Sequence, residues 1–323
     1  MTTGRDWKVA LAVQPRQDDY DYDLTQALGA VVGIKAIVPS DALTAESLGT
    51  ERAGHGVLIR EDGVILTIGY LITEAESIWI SFNDGRVVPG HVVAYDQETG
   101  FGLVQALARL NIRALPLGQS SEAEIGDRVV IGAAGGRDRS IAARIAAKHE
   151  FAGNWEYVLD EAIFTAPAHP NWGGTAAIGP AGDLIGIGSL QIQQGNEQSP
   201  NLNMIVPIDL LKPIFDDLLT IGRRNRPPRP WLGLFAAEIE DKIVVTGMSS
   251  RGPAQRTRLR LGDVVLAVGG MEVKDLAGFF RQIWSLGDAG VEVPLLVHRD
   301  GHNFQMNVPS ADRSRLFKAP VLH

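Results

Sequence analysis

The stretch GHGVLIREDGVILT, residues 54–67, decides the fold class of the first half of the chain. It contains two short apolar segments, residues 56–59 and 64–67, with charged residues and a glycine between them. Similar short segments, separated by glycines, continue along the chain as far as Val206. Many short strands at this spacing are typical of an antiparallel barrel or sandwich. We therefore predict an antiparallel β domain.

One tight turn and one helix belong to the same half. The sequence Asn83-Asp84-Gly85-Arg86 predicts a hairpin turn, because an Asp-Gly pair accommodates the positive φ angles of such turns. Asp209 can cap a helix that Gly222 ends. Apolar residues recur between these two positions at helical spacing: Leu210, Leu211, Ile214, Leu218 and Ile221.

The second half follows a proline-rich connection. Residues 223–230, RRNRPPRP, predict a stiff, solvated linker. Residues 231–309 have the pattern of a small α+β domain, with short strands and a helix at Asp275–Leu286. The predicted domains are therefore an N-terminal segment at 1–26, a β domain at 27–222, the linker, the small domain and a loose tail at 310–323.

Composition excludes several classes of function. The chain has 323 residues, 45% of them hydrophobic, so it can bury a large core. Its net charge of -8 argues against a nucleic-acid binder, which needs a basic surface to neutralise phosphates. It has no cysteine, and therefore no disulfide, thiolate zinc site or cysteine nucleophile. We expect no metal and no cofactor.

No segment predicts membrane insertion. The apolar stretch Val9–Val13 is too short for the core of a signal peptide. The longer run from Ala27 to Pro39 is interrupted by Lys35 and is interpreted as a buried strand. The sequence as given therefore predicts a cytoplasmic protein.

The order of segments resembles the HtrA/Deg family, in which a trypsin-like serine protease domain precedes a PDZ domain. Residues 54–67 match the family pattern G-S-G-V-I-I-x-x-D-G-x-I-L-T. Residues 114–120 and 125–130 match L-P-L-G-D-S and V-G-D-x-V, and residues 261–270 resemble the PDZ pattern P-G-D-V-I-L-x-V-N-G. The resemblance implies a mostly β fold, with a trypsin-like double antiparallel β-barrel followed by a small α+β PDZ domain.

The catalytic residues that the family pattern requires are missing here. Tyr70 stands where the family has the general-base His, and Gly100 stands where it has the orienting Asp. Trp172 replaces the nucleophilic Ser in a loop that is one glycine shorter. A phenol with a pKa of roughly 10 is a poor base at neutral pH, and an indole is no nucleophile. We expect no proteolysis by the inherited mechanism.

The shortened loop also affects the backbone donors that would stabilise an oxyanion. Asn171, Gly173 and Gly174 are the positions that the resemblance assigns to this vestigial loop. Trp172 has two interpretations of equal weight, which are packing in a vacated cleft and gripping a ligand side chain. His169 is interpreted as a loop histidine bonded to backbone rather than as a residual base.

Two regions are candidates for binding peptides. The backbone N–H groups of Leu232, Gly233 and Leu234 can form a nest for a terminal carboxylate, as the resemblance to a PDZ carboxylate-binding loop implies. Phe280 is predicted to line the same groove, with core packing as the alternative. The second region is one wall of the old substrate channel, with three candidate residues: Ile187, Gly188 and Ser189.

These features predict a non-catalytic, HtrA-like pseudoprotease that binds peptides or unfolded proteins as a scaffold, chaperone-like holder or regulator. Its PDZ domain would bind apolar C-termini of peptide or protein partners. One alternative is a serine-type endopeptidase with a non-standard site, and another is a structural subunit that assembles with an active protease. The resemblance implies homo-oligomers, commonly trimers. Family members are often exported, so a periplasmic location stays open.

Overall fold

A computed structural model describes residues 8–193 and 201–318 of the chain. Residues 1–7 of the predicted N-terminal segment and 319–323 of the predicted tail lie outside the described residues. The chain divides into two compact units. The first contains the residues up to His149 and then Glu161–Arg224, while the second contains Glu150–Asp160 and Asn225–Lys318. The predicted fold class is confirmed, with two β-barrels in the first unit and a small α+β fold in the second.

The first barrel contains the stretch that decides the fold. Val57 pairs with Leu66 and Leu58 with Ile65, so residues 54–67 form two neighbouring antiparallel strands. The barrel closes in the order β1-β2-β3-β6-β5-β4. Its strands are β1 Val31–Ile37, β2 Glu51–Leu58, β3 Val64–Ile68, β4 Ser77–Ser81, β5 Val87–Tyr95 and β6 Phe101–Ala106. Every residue of β3 is buried, so both faces of this barrel strand are covered. Two short helices belong to the same half: α1 Leu24–Gly29 and α2 Ala45–Leu48.

The second barrel closes in the order β10-β11-β12-β9-β8-β7. Its strands are β7 Arg128–Gly132, β8 Ile141–Gly153, β9 Tyr157–Ala166, β10 Ala176–Ile178, β11 Leu184–Ile192 and β12 Leu202–Pro207. Buried aliphatic side chains from these strands form its core. The turn between β8 and β9 is the part of the hairpin that belongs to the second unit.

The helix that ends the first unit is shorter than predicted. The α-helix α3 spans Phe215–Ile221, and two 3-10 turns precede it. Pro213 explains the difference, because proline has no N–H for the helical ladder. Asp209 accepts a hydrogen bond from Ser121 N at 2.8 Å instead of capping a helix. Gly222, at φ +71°, ends the helix as predicted.

The second unit is built on one sheet and one long helix. The sheet order is β13-β14-β15-β17-β18, so β13 is an edge strand, and β16 pairs with β15. The elements are β13 Leu234–Ile239, β14 Lys242–Met248, β15 Val264–Val268, β16 Met271–Glu272, α4 Leu276–Ser285, β17 Glu292–Arg299 and β18 His302–Pro309. Asp275 caps α4 by accepting from Gly278 N, and Phe279, Phe280 and Ile283 are fully buried.

Two sequence-based expectations about polar segments are wrong. Arg224 is not a solvated linker residue, because it forms a bidentate pair with Asp96 at 2.7 Å and its side chain is 19% exposed. The predicted tail is not loose between Ser310 and Lys318. Ala311 pairs with Trp231 in a backbone bridge, and Asp312 caps a 3-10 turn by accepting from Ser314 N.

Candidate functional site

The first candidate site is the cleft of the two-barrel unit, where Tyr70 lies in a 3-10 turn directly after β3. Its hydroxyl donates to the carbonyl of Ser189 on β11 at 2.8 Å. The Trp172 side chain is also hydrogen-bonded to this hydroxyl. Burial raises the pKa of the Tyr70 phenol, although the bond with Trp172 opposes the shift. The phenol therefore stays protonated at neutral pH and connects two walls of the cleft.

Gly100 lies in a turn whose backbone conformation favours glycine. Its φ of +84° is in the left-handed region, which a glycine adopts without strain. Its N–H donates to the Asp96 carbonyl at 2.8 Å, and its carbonyl accepts from Gly69 N at 2.6 Å. The backbone at this position is thus fixed by the turn.

The two carboxylates nearest in sequence to Gly100, Glu98 and Asp96, are both paired with Arg224. Asp96 is 6% exposed and accepts hydrogen bonds from Thr99 and Arg224, so it does not lie in a solvated turn. Burial raises the pKa of Asp96, but the hydrogen bonds from Arg224 and Thr99 outweigh it and bring the pKa below its ordinary value. Glu98 completes the ion pair at 3.6 Å from Arg224.

The vestigial oxyanion loop directs its donors into the protein. Asn171 N donates to His169 Nδ1 at 3.1 Å, and Gly174 N donates to the Gly188 carbonyl at 2.8 Å. Gly173 contributes its carbonyl, which accepts from His55 N at 2.8 Å. Two of the donors that could stabilise an oxyanion are therefore already used.

Two histidines lie behind this loop, with ring centroids 6.1 Å apart. His169 is fully buried, and its Nε2 lies 2.6 Å from the Arg139 carbonyl, which confirms the interpretation of a loop histidine bonded to backbone. His55 Nδ1 accepts from Ala134 N at 3.1 Å. Burial lowers the pKa of His169 and brings that of His55 to about 3, so both rings are neutral at physiological pH.

The predicted channel wall on β11 is closed at its centre. Ile187 is fully buried, and Ser189 is 4% exposed. Gly188 donates to the Thr175 carbonyl at 2.8 Å and accepts from Gly174 N, while the Ser189 carbonyl accepts from Tyr70. A peptide that paired with these groups would have to replace existing hydrogen bonds.

The second candidate site lies in the second unit, where the predicted nest is formed. The N–H groups of Leu232, Gly233 and Leu234 converge on one carboxylate, that of Glu156. The distances to Glu156 Oε1 are 3.1 Å, 2.8 Å and 3.2 Å, and Leu232 N also reaches Oε2 at 3.1 Å. We call residues 232–234 the amide loop. Three convergent amides are a specific arrangement for binding a carboxylate.

Glycine is required in the middle of the amide loop. Gly233 has a φ of +73°, and a Cβ there would lie 2.6 Å from Gly252 Cα. A side chain at this position would therefore strain the backbone and separate two segments that now touch.

Glu156 was not a candidate from the sequence. It lies in the turn after β8, is 5% exposed and has a φ of +62°. Burial raises the pKa of this carboxyl to about 7, against the opposing effects of the three backbone donors and of Arg313. No local signal distinguishes it from a solvated turn residue, because its partners lie 76 to 78 positions away in the chain.

Phe280 lies on α4 with no exposed surface. Its ring is 5.2 Å from that of Phe279 and stacks on Trp284 at 6.0 Å. It belongs to the same buried cluster as Val158, which follows Glu156 on the hairpin. Its role as a groove wall stays a prediction.

Comparisons with known families place both candidate sites in recognised domains. Residues 54–187 match the trypsin-like peptidase domain, and residues 230–309 match the PDZ domain. The first match contains the positions of Tyr70, Gly100 and Trp172, and the second contains the amide loop. The class of protein is therefore a trypsin-like peptidase domain followed by a PDZ domain.

Curated relatives are serine endoproteases by name. Serine endoprotease DegS of Haemophilus influenzae is 29% identical over 238 residues, which cover 70% of this chain and 68% of that protein. A probable periplasmic serine endoprotease DegP-like of Halomonas elongata is 28% identical over 272 residues, covering 80% of this chain. The chain spans only 56% of the length of that DegP-like relative.

Solved structures agree with this fold. An HtrA-type protease, AlgW, with a tripeptide superposes with a TM-score of 0.53 at 22% identity, covering 89% of this chain and 95% of that one. The serine endoprotease from Yersinia pestis gives 0.52 at 22% identity, covering 90% and 98%. The two domains in this order and the curated relatives show that the chain is an HtrA family protein, and the solved structures have the same fold. Across the two described ranges, every helix is too short or too polar to cross a lipid bilayer.

Proposed function

We propose that this chain is a non-catalytic, HtrA-like protein that binds peptides through its PDZ domain. The observation that carries the proposal is the convergence of three backbone N–H groups, at Leu232, Gly233 and Leu234, on a single carboxylate oxygen. A free peptide C-terminus presents the same two-oxygen acceptor. The edge strand β13 directly follows the amide loop and can pair with a peptide backbone.

The absence of catalysis is proposed from chemistry at the three triad positions. Tyr70 offers a protonated phenol with a raised pKa in place of a base. Gly100 has no carboxylate to orient a base, and Trp172 has no nucleophilic atom. Because removing one triad member already costs about four orders of magnitude in rate or more, the loss of all three leaves no acyl-transfer mechanism.

The experiment is a binding measurement on the full chain with a library of peptides that end in Val, Leu, Ile or Phe. Each hit is measured again as its C-terminal amide. We expect binding that requires the free carboxylate, because the amide removes one acceptor oxygen and the negative charge. Binding that is indifferent to amidation would place the peptide away from the amide loop. The similar AlgW structures were solved with a tripeptide and with a decapeptide, which supports a peptide ligand for this class of fold.

A second candidate is an active serine endopeptidase, as the names of the relatives suggest. Turnover of unfolded casein that a Trp172→Ala variant loses would favour it. A structural subunit of an assembly with an active protease is the third candidate, and co-purification with such a protease would favour that role. Homo-oligomers, including trimers, stay a prediction. The location also stays a prediction, and the periplasmic name of the DegP-like relatives favours the exported alternative.

A further inference from the structure

The amide loop of the PDZ domain already holds a ligand from its own chain. Glu156 fills it with a side-chain carboxylate, and all three loop amides donate to the same atom, Oε1. The carboxylate of a peptide C-terminus has the same shape, charge and number of acceptor oxygens. The three donors cannot serve both carboxylates at once, so the two ligands exclude each other.

The backbone beside Glu156 also occupies the position of a bound peptide. The carbonyl of Asn154 accepts a hydrogen bond from Ala236 N at 3.0 Å. Ala236 lies on β13, which has a strand partner, β14, on one side only. The hairpin tip therefore uses the free edge of β13, which is the edge to which an added peptide strand would bind.

A third set of contacts attaches the hairpin to α4. Arg281 on this helix pairs with Glu150 at 2.6 Å and also with Asp160, one residue on each side of the tip. Val158 is 8% exposed and belongs to the buried core of the second unit. The tip is thus held by the amide loop, by the edge of β13 and by α4.

The conformation of Glu156 is costly, which suits a ligand that can be displaced. Its φ of +62° is in the left-handed region, where a residue with a side chain costs about 1–2 kcal/mol. Its carboxylate is also almost completely buried, at 5% exposure. Both costs are removed when the tip leaves the loop, so a competing peptide does not have to overcome the full strength of the hydrogen bonds.

We infer that Asn154–Glu156 is an internal ligand of the amide loop, so that peptide C-termini bind the PDZ domain only by displacing it. This regulation rests on the proposed function, because it assumes that the loop binds C-terminal carboxylates. In the absence of peptide this segment occupies the groove. A partner peptide must therefore bind tightly enough to displace it.

The internal ligand is tested first without any peptide. Amide hydrogen exchange is measured at Leu232, Gly233 and Leu234 in the full chain. The Glu156→Gly variant removes the carboxylate and accepts the positive φ, and Glu240→Gly is the matched control, since Glu240 is an exposed turn glutamate of the same unit with a φ of +50°. We expect exchange about tenfold faster or more in Glu156→Gly, with the control unchanged. Unchanged protection in Glu156→Gly would overturn the inference.

A second variant distinguishes loss of the internal ligand from a general loss of folding. Glu156→Gln keeps the length of the side chain and one acceptor oxygen, so we expect protection between that of the wild type and that of Glu156→Gly. Protection lost equally in both variants, together with a lower melting temperature, would show a folding defect and would contradict a specific ligand role.

Competition is tested with the same library of C-terminal peptides. We expect Glu156→Gly to bind the free-acid hits about tenfold more tightly than the wild type and Glu240→Gly do, because the docked state reduces the fraction of open loop. Equal affinity in all three proteins would overturn the inference and leave the proposed function standing. If none of the three proteins shows carboxylate-dependent binding, the proposed function is wrong. The inferred competition is then wrong as well, whatever the amide exchange shows.

Discussion

The hydroxyl of Tyr70 donates to the backbone carbonyl of Ser189 at 2.8 Å, across the cleft of the two-barrel unit. This bond joins Tyr70, at the position that the resemblance assigns to the general base, to β11 of the second barrel. The Trp172 side chain is hydrogen-bonded to the same Tyr70 hydroxyl. Tyr70 and Trp172, which the resemblance assigns to the base and nucleophile positions, are therefore hydrogen-bonded to each other.

Tyr70→Phe should destabilise the protein by about 1–2 kcal/mol, because it leaves the Ser189 carbonyl without its buried donor. Urea unfolding measures the change. Tyr22→Phe is the matched control, since its hydroxyl is buried without a hydrogen-bond partner among the described residues. Removing that hydroxyl should be neutral or slightly stabilising. Equal losses in both variants would contradict the role of the Tyr70 bond.

A fluorophosphonate probe should label neither the wild type nor a Trp172→Ser variant. The new serine would still lack a base, because burial raises the pKa of Tyr70 and keeps its phenol protonated. Trypsin serves as the positive control for the probe. Stoichiometric labelling of the wild type would contradict the non-catalytic proposal.

Arg224→Met should cost about 3 kcal/mol of unfolding free energy, since it leaves the buried Asp96 carboxylate without its cation. Thermal and urea unfolding both report it. Arg60→Met removes an exposed pair with Asp62, and we expect no measurable change there. A loss in Arg224→Met no larger than in Arg60→Met would show that the Asp96 pair is not structural.

Gly233→Ala should abolish carboxylate-dependent peptide binding and lower stability by about 1–2 kcal/mol, because the new Cβ lies 2.6 Å from Gly252 Cα at a φ of +73°. Gly270→Ala separates the two causes. Its φ of +84° carries the same backbone strain, yet a Cβ there meets no atom within 4 Å. We expect that control to lose some stability and to keep peptide binding. Loss of binding in both would point to strain alone.

Peptide binding by the wild type should strengthen as the pH rises from about 5.5 to 8. The pKa of Glu156 is about 7 in the loop against an ordinary 4.5, so the docked tip binds a proton that the released tip does not. Docking is therefore favoured at low pH, and this advantage is lost as the pH rises through 7. Arg313 is the charged group that acts on Glu156, and the carboxylate of a free peptide does not titrate in this range.

Affinity for free-acid peptides at the two pH values checks this sign. The Glu156→Gln variant should give a flat profile, since it has no proton to lose. A decrease in wild-type affinity with rising pH, or the same slope in the variant, would contradict the prediction.

The sequence predicted the parts of this structure that depend on local patterns. Residues 54–67 gave paired strands because their apolar segments and turn residues lie next to each other in the chain. The resemblance of residues 231–234 to a PDZ carboxylate-binding loop indicated the amide loop, where Gly233 has a positive φ.

What the sequence could not predict depends on contacts between distant residues. Asp96 and Arg224 are 128 positions apart, and each alone has the composition of a solvated segment. Glu156 and Gly233 are 77 apart, and only the folded second unit brings them together. The predicted start of the helix at Asp209 is wrong for a local reason. The apolar spacing continues through Pro213, but the α-helix begins only after this proline.

The central claim is that a free C-terminal carboxylate binds at the amide loop. The most direct measurement is the backbone amide resonance of Gly233 in the full chain, followed while the best free-acid peptide and then its amide are added. We expect the acid to shift this resonance to saturation and the amide to leave it in place. A peptide that binds with the same affinity in both forms, without moving Gly233, would contradict the claim.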